Sequence, residues 1–193
     1  MHPGVLAFLS RVGLLALGGL VLLVLIAIGI YNGLVRARMA VKNAWSQIDV
    51  QLKRRYDLIP NLVETVRGYA GHEKEALENV IRARQRGIEA TGVAQQAAAE
   101  NMLTGALRQL FALSEAYPDL KANQSFLALQ EELSSTENKI SFARQYYNNT
   151  VENYNAKLQT FPSVLLAGLF GFAPEEFFEI EDAGHRDTPK VKF

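Results

Sequence analysis

The sequence contains no cysteine and only 3 histidines in 193 residues. The first absence excludes disulfides, thiolate metal sites and cysteine nucleophiles together. The second leaves little room for imidazole chemistry. A carboxylate-bridged di-metal site in a helical bundle asks for Glu-x-x-His pairs on facing helices, and the residue three before His72 is Tyr69. A zinc-protease helix needs His-Glu-x-x-His, and His72-Glu73 is followed at the last place by Ala76. His185 falls in a polar tail. Neither a Gly-x-Gly-x-x-Gly turn nor a Walker loop occurs. The expectation is therefore no catalytic, cofactor-binding or metal-ligating residues, no cofactor and no enzyme. A metal-binding or enzymatic bundle stays open as a third reading.

An excess of charge of one sign is also lacking. Lys+Arg and Asp+Glu both number 20. Arg11 is the only charged residue before Arg36, so the chain beyond residue 35 carries a net charge near −1. That gives no basic footprint for nucleic acid. No small-molecule substrate is indicated either.

What the chain does have is one long apolar block. The 24 residues Val12 to Val35 contain no Asp, Glu, Lys or Arg. As a helix at ~1.5 Å per residue they reach ~36 Å, against a hydrocarbon core of roughly 30 Å. A cleaved signal peptide is the rival, but its apolar region would be ~7–15 residues, followed by small residues. This run is longer and continues into Arg36 and Arg38 without a break. It reads as a single transmembrane helix. Arg11 precedes it, whereas Arg36, Arg38 and Lys42 follow it. Basic residues stay inside, so residues 1–11 are expected to be extracytoplasmic and the remainder cytoplasmic, at a bacterial inner (plasma) membrane.

The rest of the chain shows helical periods and no strand pattern. Val41, Trp45, Ile48, Leu52 and Ile59 recur at helical spacing. Nothing between Leu34 and Arg55 interrupts continuity with the membrane helix. Asp57 and Pro60 suggest an end and a new start, so helices are expected at about 36–57 and 58–87. The second carries Leu62, Val66, Tyr69, Leu77, Val80 and Ile81, and Gly87 to Gly92 would be a loop. A third helix at about 97–117 carries Leu103, Leu107, Leu110 and Tyr117, with Gly105 as a weak point and Pro118 as its stop. The fourth, about 122–160, shows Phe126, Leu133, Ile140, Tyr147, Tyr154 and Phe161 at intervals of seven, with Leu129, Thr136 and Ala143 as a weaker second position. Such a repeat asks for supercoiled, coiled-coil-like packing. Asn123 is its expected cap and Pro162 its stop. Trp45, Leu133 and Ile140 are expected in the core. The predicted fold is all-α: a transmembrane helix (12–35) continuing into an antiparallel, up-down four-helix bundle (36–161). An apolar segment (162–180) and a disordered polar tail (181–193) follow.

Three features stand outside this core. Lys53-Arg54-Arg55 lies too far along a straight helix to feel a lipid field that decays over ~8 Å, so a solvated face or pairing within the bundle is expected. Helix four is rich in Asn, Gln and Tyr, among them Asn123, Asn138, Tyr146, Tyr147, Asn148, Asn153, Tyr154 and Asn155. These residues solubilise the helix and fix its register, or they form a contact face for a partner or second copy. The segment FPSVLLAGLFGF (161–172) is too apolar for water and too short to span. It caps the bundle, mediates self-association or rests in the headgroup zone. Counting helices up and down puts the end of helix four near the bilayer, which suits the last of these.

The stretches YNGLVRARMAVKNAWSQIDVQLKRRYDLIPNLVETVRGYAGHEKEALENVIRAR, ANQSFLALQEELSSTENKISFARQYYNNTVENYNAKLQTFP and LFGF resemble the LemA family of bacterial membrane proteins over roughly residues 31 to 181. Residues 88 to 122 carry little of that signature. The resemblance implies an N-terminal membrane helix, an N-out orientation and a long helical bundle. It implies no catalytic residues, and its associations are with envelope stress, membrane proteases and magnetosome membranes. The leading reading is a non-enzymatic membrane-anchored scaffold or adaptor that forms a homo-oligomer. Its expected partners are membrane lipid, further copies and other membrane proteins of envelope maintenance. A membrane-shaping or lipid-organising protein is the alternative.

Overall fold

The computed structural model describes residues 3–179, with side chains from Gly13 onward. The expected disordered tail (181–193), and with it His185, lies outside the described residues. So do His2 and the side chains of the expected extracytoplasmic segment, Arg11 included. Among the described residues there are helices and no strands: α1 (Pro3–Ala70), α2 (Lys74–Glu89), α3 (Val93–Ser114), α4 (Pro118–Lys121), α5 (Gln124–Gln159) and α6 (Ser163–Leu169). The fold is all-α. The described residues form two compact units, and α1 and α5 contribute to both.

The first unit comprises α1 as far as Asn43, together with Thr150–Glu175. Its α1 section holds the apolar run, in which Leu14, Leu17, Leu20, Leu23 and Leu25 are all exposed. No side chain of its most apolar stretch is buried. It is the one helix among the described residues long and apolar enough to cross a membrane. From the end of that run onward the unit acquires a small core of Leu34, Val41, Val151, Tyr154, Leu158 and Ala167.

The second unit comprises Ala44–Asn149 and the described residues from Glu176. Cross-helix pairs descend along α5 as they ascend along α1: Trp45 with Tyr147, Arg54 with Glu132, Tyr69 with Asn123. The two helices are therefore antiparallel. Contacts of Gln96 with Gly87 and of Tyr117 with Glu73 set α3 antiparallel to α2. The result is an up-down bundle of four helical segments. Ala44, Ile48, Leu52, Ile59, Leu62 and Val66 of α1 supply one wall of its core, and Phe126, Leu133 and Ile140 of α5 another.

Several boundaries differ from the sequence reading. No break occurs at 57/58; α1 runs through Pro60. The real break is at 71–73, after which α2 begins at Lys74. Gly71, the first residue past the helix, is among the weakest helix formers. The second helix extends past Gly87 to Glu89, and the loop is confined to 90–92, where Gly92 has φ +82°. α3 is displaced toward the N-terminus, to Val93–Ser114. Pro118 opens α4 at its first position, where proline is tolerated, instead of terminating α3. Asn123 caps α5 as expected, its Oδ1 accepting from the Phe126 N–H at 3.0 Å. Trp45 is half-buried, whereas Leu133 and Ile140 are in the core. Tyr69 and Ile81 face outward, and Phe161 lies past the end of α5 and is exposed.

Candidate functional site

The polar groups of the second unit concentrate around Arg55. On α1, Ile48, Leu52, Arg55 and Ile59 fall on one buried stripe; on α3, Glu100, Leu103, Leu107 and Leu110 do the same. A charged residue at a stripe position on each of two helices was the available signal. Of the two expectations for Arg55, a solvated face or pairing within the bundle, the structure shows the second. Arg55 and Glu100 are both buried. The Arg55 Nη1 lies 3.1 Å from Glu100 Oε2 and 2.9 Å from Glu137 Oε2, and its Nη2 donates to Thr104 Oγ1 at 2.9 Å. Tyr56 Oη donates to Glu100 Oε1. Gln96 Nε2 donates to the same carboxylate at 3.1 Å, to Tyr56 Oη at 2.7 Å and to the Gly87 carbonyl at 3.3 Å. Tyr56 packs so closely on α2 that a Cβ at Gly87 would lie 2.5 Å from its hydroxyl. Arg54 instead points outward and pairs with Glu132 at 3.2 Å.

Burial raises the Glu100 carboxyl above its ordinary value of 4.5, against the opposing pull of Tyr56, Arg55 and Gln96. Burial also raises the Tyr56 hydroxyl, and the Glu100 carboxylate beside it adds to that. Tyr56 therefore stays protonated and serves as a donor. Every polar group in the cluster is engaged by another. It links α1, α2, α3 and α5, and its chemistry is that of a register lock: a buried pair gains little net stability but penalises any slip that separates its members. A cavity of about 370 Å³ opens beside it, lined by Arg55, Thr104, Arg108, Gln130, Glu137 and Asn138. Among the described residues no group of three or more His, Asp or Glu side chains gathers as a metal site.

A second feature lies between α1 and α5 in the same unit. Val50, Gln51, Lys139, Phe142 and Tyr146 border a groove of about 570 Å³. Val50, Phe142 and Tyr146 expose much of their apolar surface there. The Gln51 Oε1 is buried and meets no donor from the described residues.

The third feature explains part of the amide- and tyrosine-rich face of α5. Past α6 the chain continues as an irregular strap, residues 172–179. In the first unit, Asn155 Nδ2 donates to the Glu175 carbonyl at 2.9 Å while its Oδ1 accepts from the Glu175 N–H at 2.9 Å. Tyr154 Oη donates to the Ala173 carbonyl at 3.1 Å. In the second unit the same arrangement recurs. Asn148 donates to the Phe178 carbonyl at 3.3 Å and accepts from its N–H at 2.9 Å, and Tyr147 Oη donates to the Glu176 carbonyl at 2.9 Å. A side-chain amide carries a C=O and an N–H side by side, so one Asn satisfies both backbone groups of one residue. Seven helical residues rise ~10.5 Å and three near-extended residues cover ~10 Å. That match is why partners recur seven apart on α5 and three apart on the strap. Phe178 is fully buried, edge-on to Trp45 at 5.4 Å. These four residues thus hold the chain's own C-terminal segment. Tyr146, Asn149 and Asn153, on other parts of the face, are also engaged.

The family model described as the LemA family matches residues 44–193. "Protein LemA" of Metamycoplasma hominis is 29% identical over 138 residues, 69% of this chain and 62% of that protein. "Magnetosome protein MamQ 2" of Paramagnetospirillum magneticum is 26% identical over 187 residues, 83% of this chain and 68% of that protein. "Magnetosome protein MamQ" of Magnetospirillum gryphiswaldense is 25% identical over the same length. The chain therefore spans about two thirds of the length of these relatives, and slightly less of the first.

Proposed function

The chain is a membrane-associated, all-helical member of the LemA family, and from that premise we propose that it is a non-enzymatic scaffold or adaptor anchored in the bacterial inner membrane. The observation that carries this reading is α1 itself. One uninterrupted helix leaves every side chain of its most apolar stretch unburied and ends within a well-packed bundle core. An exposed apolar run of this length needs lipid around it. The polar cluster behind it locks helices together and engages its own charges, which is the chemistry of a rigid body and not of a reaction.

Arg36, Arg38 and Lys42 directly after the run favour a cytoplasmic bundle and an external N-terminus. The groove bordered by Val50, Phe142 and Tyr146 supports docking. It offers exposed apolar and aromatic surface around an acceptor, Gln51 Oε1, that lacks a donor. A second copy or another membrane protein would fill it.

The test is in-membrane photo-crosslinking of the full chain from positions 50 and 142. Adducts at twice the subunit mass support self-association, and adducts with one recurrent membrane protein support adaptor work. Membranes that contain the protein and yield neither adduct from either position would overturn the scaffold reading.

A further inference from the structure

We propose that residues 161–172 form a second membrane contact: a short interfacial helix lying in the headgroup–acyl boundary of the leaflet from which α1 emerges, and taking phospholipid as its ligand. The inference rests on the reading of residues 12–35 as a membrane span.

The chemistry of the segment sets the requirement. Residues 160–174 contain no charged side chain. Within and beside α6, Phe161 is 80% exposed, Leu165 65% and Leu169 74%, with Val164 and Phe170 also exposed. Only Ala167 of α6 is buried. A contiguous apolar surface of this kind marks a binding site. Seven helical residues rise only ~10 Å, far short of a bilayer crossing but suited to lying in its surface.

The location of the segment chooses the occupant. Within the first unit, the Tyr31 ring is edge-on to Phe170 at 4.9 Å and to Phe172 at 5.7 Å. Tyr31 belongs to the charge-free run and stands four residues before its end at Val35. That is the depth at which a spanning helix of this length leaves hydrocarbon, and it is where aromatic rings with a polar tip settle. Arg36, whose Nε donates to the Asn32 carbonyl at 3.2 Å, follows immediately. The segment is therefore fixed against the emerging end of the span. Its far side is tied down by Tyr154 and Asn155 through Ala173 and Glu175. Side chains held at that depth on a spanning helix already meet lipid. A second copy would have to displace lipid to reach them.

The natural absence of cysteine makes the test direct. Single variants Ile26→Cys, Leu127→Cys, Leu165→Cys and Leu169→Cys of the full chain, each carrying an environment-sensitive fluorophore, are reconstituted in phosphatidylethanolamine–phosphatidylglycerol vesicles. Some vesicles carry bromine near the headgroup and others at mid-chain. The expected result is quenching at 26 by mid-chain bromine, quenching at 165 and 169 by shallow bromine, and no loss at 127. Quenching at 26 with positions 165 and 169 as bright as 127 overturns the interfacial helix and leaves the span standing. No quenching at 26 removes the span, and the inference with it. Quenching at 165 and 169 that disappears as protein is concentrated in the vesicles assigns the surface to a second copy and also overturns the inference.

Discussion

The Arg84 Nε donates a 2.8 Å hydrogen bond to the Tyr56 carbonyl, the backbone acceptor that Pro60 leaves without its helical partner. In an α-helix the N–H of residue 60 would bond to the carbonyl of residue 56, and proline has no N–H. An orphaned carbonyl inside a bundle is costly. The guanidinium on α2 takes that place, so α1 continues for ten residues past the proline.

Removing the guanidinium should therefore matter only while proline is present. Arg84→Ala is expected to destabilise the full chain in detergent by about 1–3 kcal/mol. In a Pro60→Ala background the new N–H supplies the missing donor, and the same substitution should cost well under half as much. Thermal unfolding of the four-member cycle measures the coupling. Equal losses in both backgrounds would show that Arg84 stabilises α1 through something other than the Tyr56 carbonyl.

This pair also marks the boundary of what was legible in the sequence. Periods within one helix were readable. The seven-residue repeat of α5 has Phe126, Leu133, Ile140, Tyr147 and Tyr154 buried where the spacing put them, and it fails only at Phe161, past the end of that helix. The apolar run and the Asn123 cap were readable for the same reason. Compensation from another helix was not. Pro60 looked like a helix start because the side chain that rescues its helix sits elsewhere in the chain. The Arg55–Glu100 pair and the grip of Asn148 and Asn155 on the strap also depend on tertiary neighbours. Composition showed that amides crowd α5 but not what they hold.

The Glu100 cluster makes a prediction about pH. Burial raises the folded-state pKa of Glu100 above 4.5, so the folded chain holds this proton more tightly than the unfolded chain. Stability from this group is then fullest below pH 4.5 and declines as pH rises through the folded pKa. Glu100→Gln stays neutral throughout, and Arg55 keeps Glu137 and Thr104. The melting temperature of Glu100→Gln minus that of the wild type should be more positive at pH 7 than at pH 4. A difference that does not change with pH would contradict the assignment. Glu100→Ala should instead lose stability at both pH values, because it removes donors' partners without replacing them.

The strap prediction is local. Each of Asn148 and Asn155 makes two backbone hydrogen bonds, at about 1 kcal/mol apiece. Asn155→Ala should raise amide exchange at Glu175 by roughly 5–30-fold, and Asn148→Ala should do so at Phe178. Hydrogen-exchange mass spectrometry of the full chain in nanodiscs reads both sites. Asn155→Asp should fall between Asn and Ala at Glu175, because a carboxylate still accepts from the Glu175 N–H but cannot donate to its carbonyl. Unchanged exchange in both alanine variants would mean that the two tyrosine hydroxyls and Phe178 packing hold the strap without the asparagines.

The same helix offers an internal contrast for the core. Ile140 is 1% exposed and Phe142, two residues on, is 71% exposed. Truncating a buried isoleucine removes transfer free energy and leaves a cavity, so Ile140→Ala should cost about 2–5 kcal/mol. Phe142→Ala removes a larger side chain from a surface position and should change stability by no more than about 0.5 kcal/mol. Its effect belongs elsewhere: if the groove beside Val50 and Gln51 docks a partner, this substitution should weaken crosslinking from position 50 while the melting temperature stays put. Destabilisation by Phe142→Ala as large as that by Ile140→Ala would mean that the stripe on α5 is turned from its assigned face.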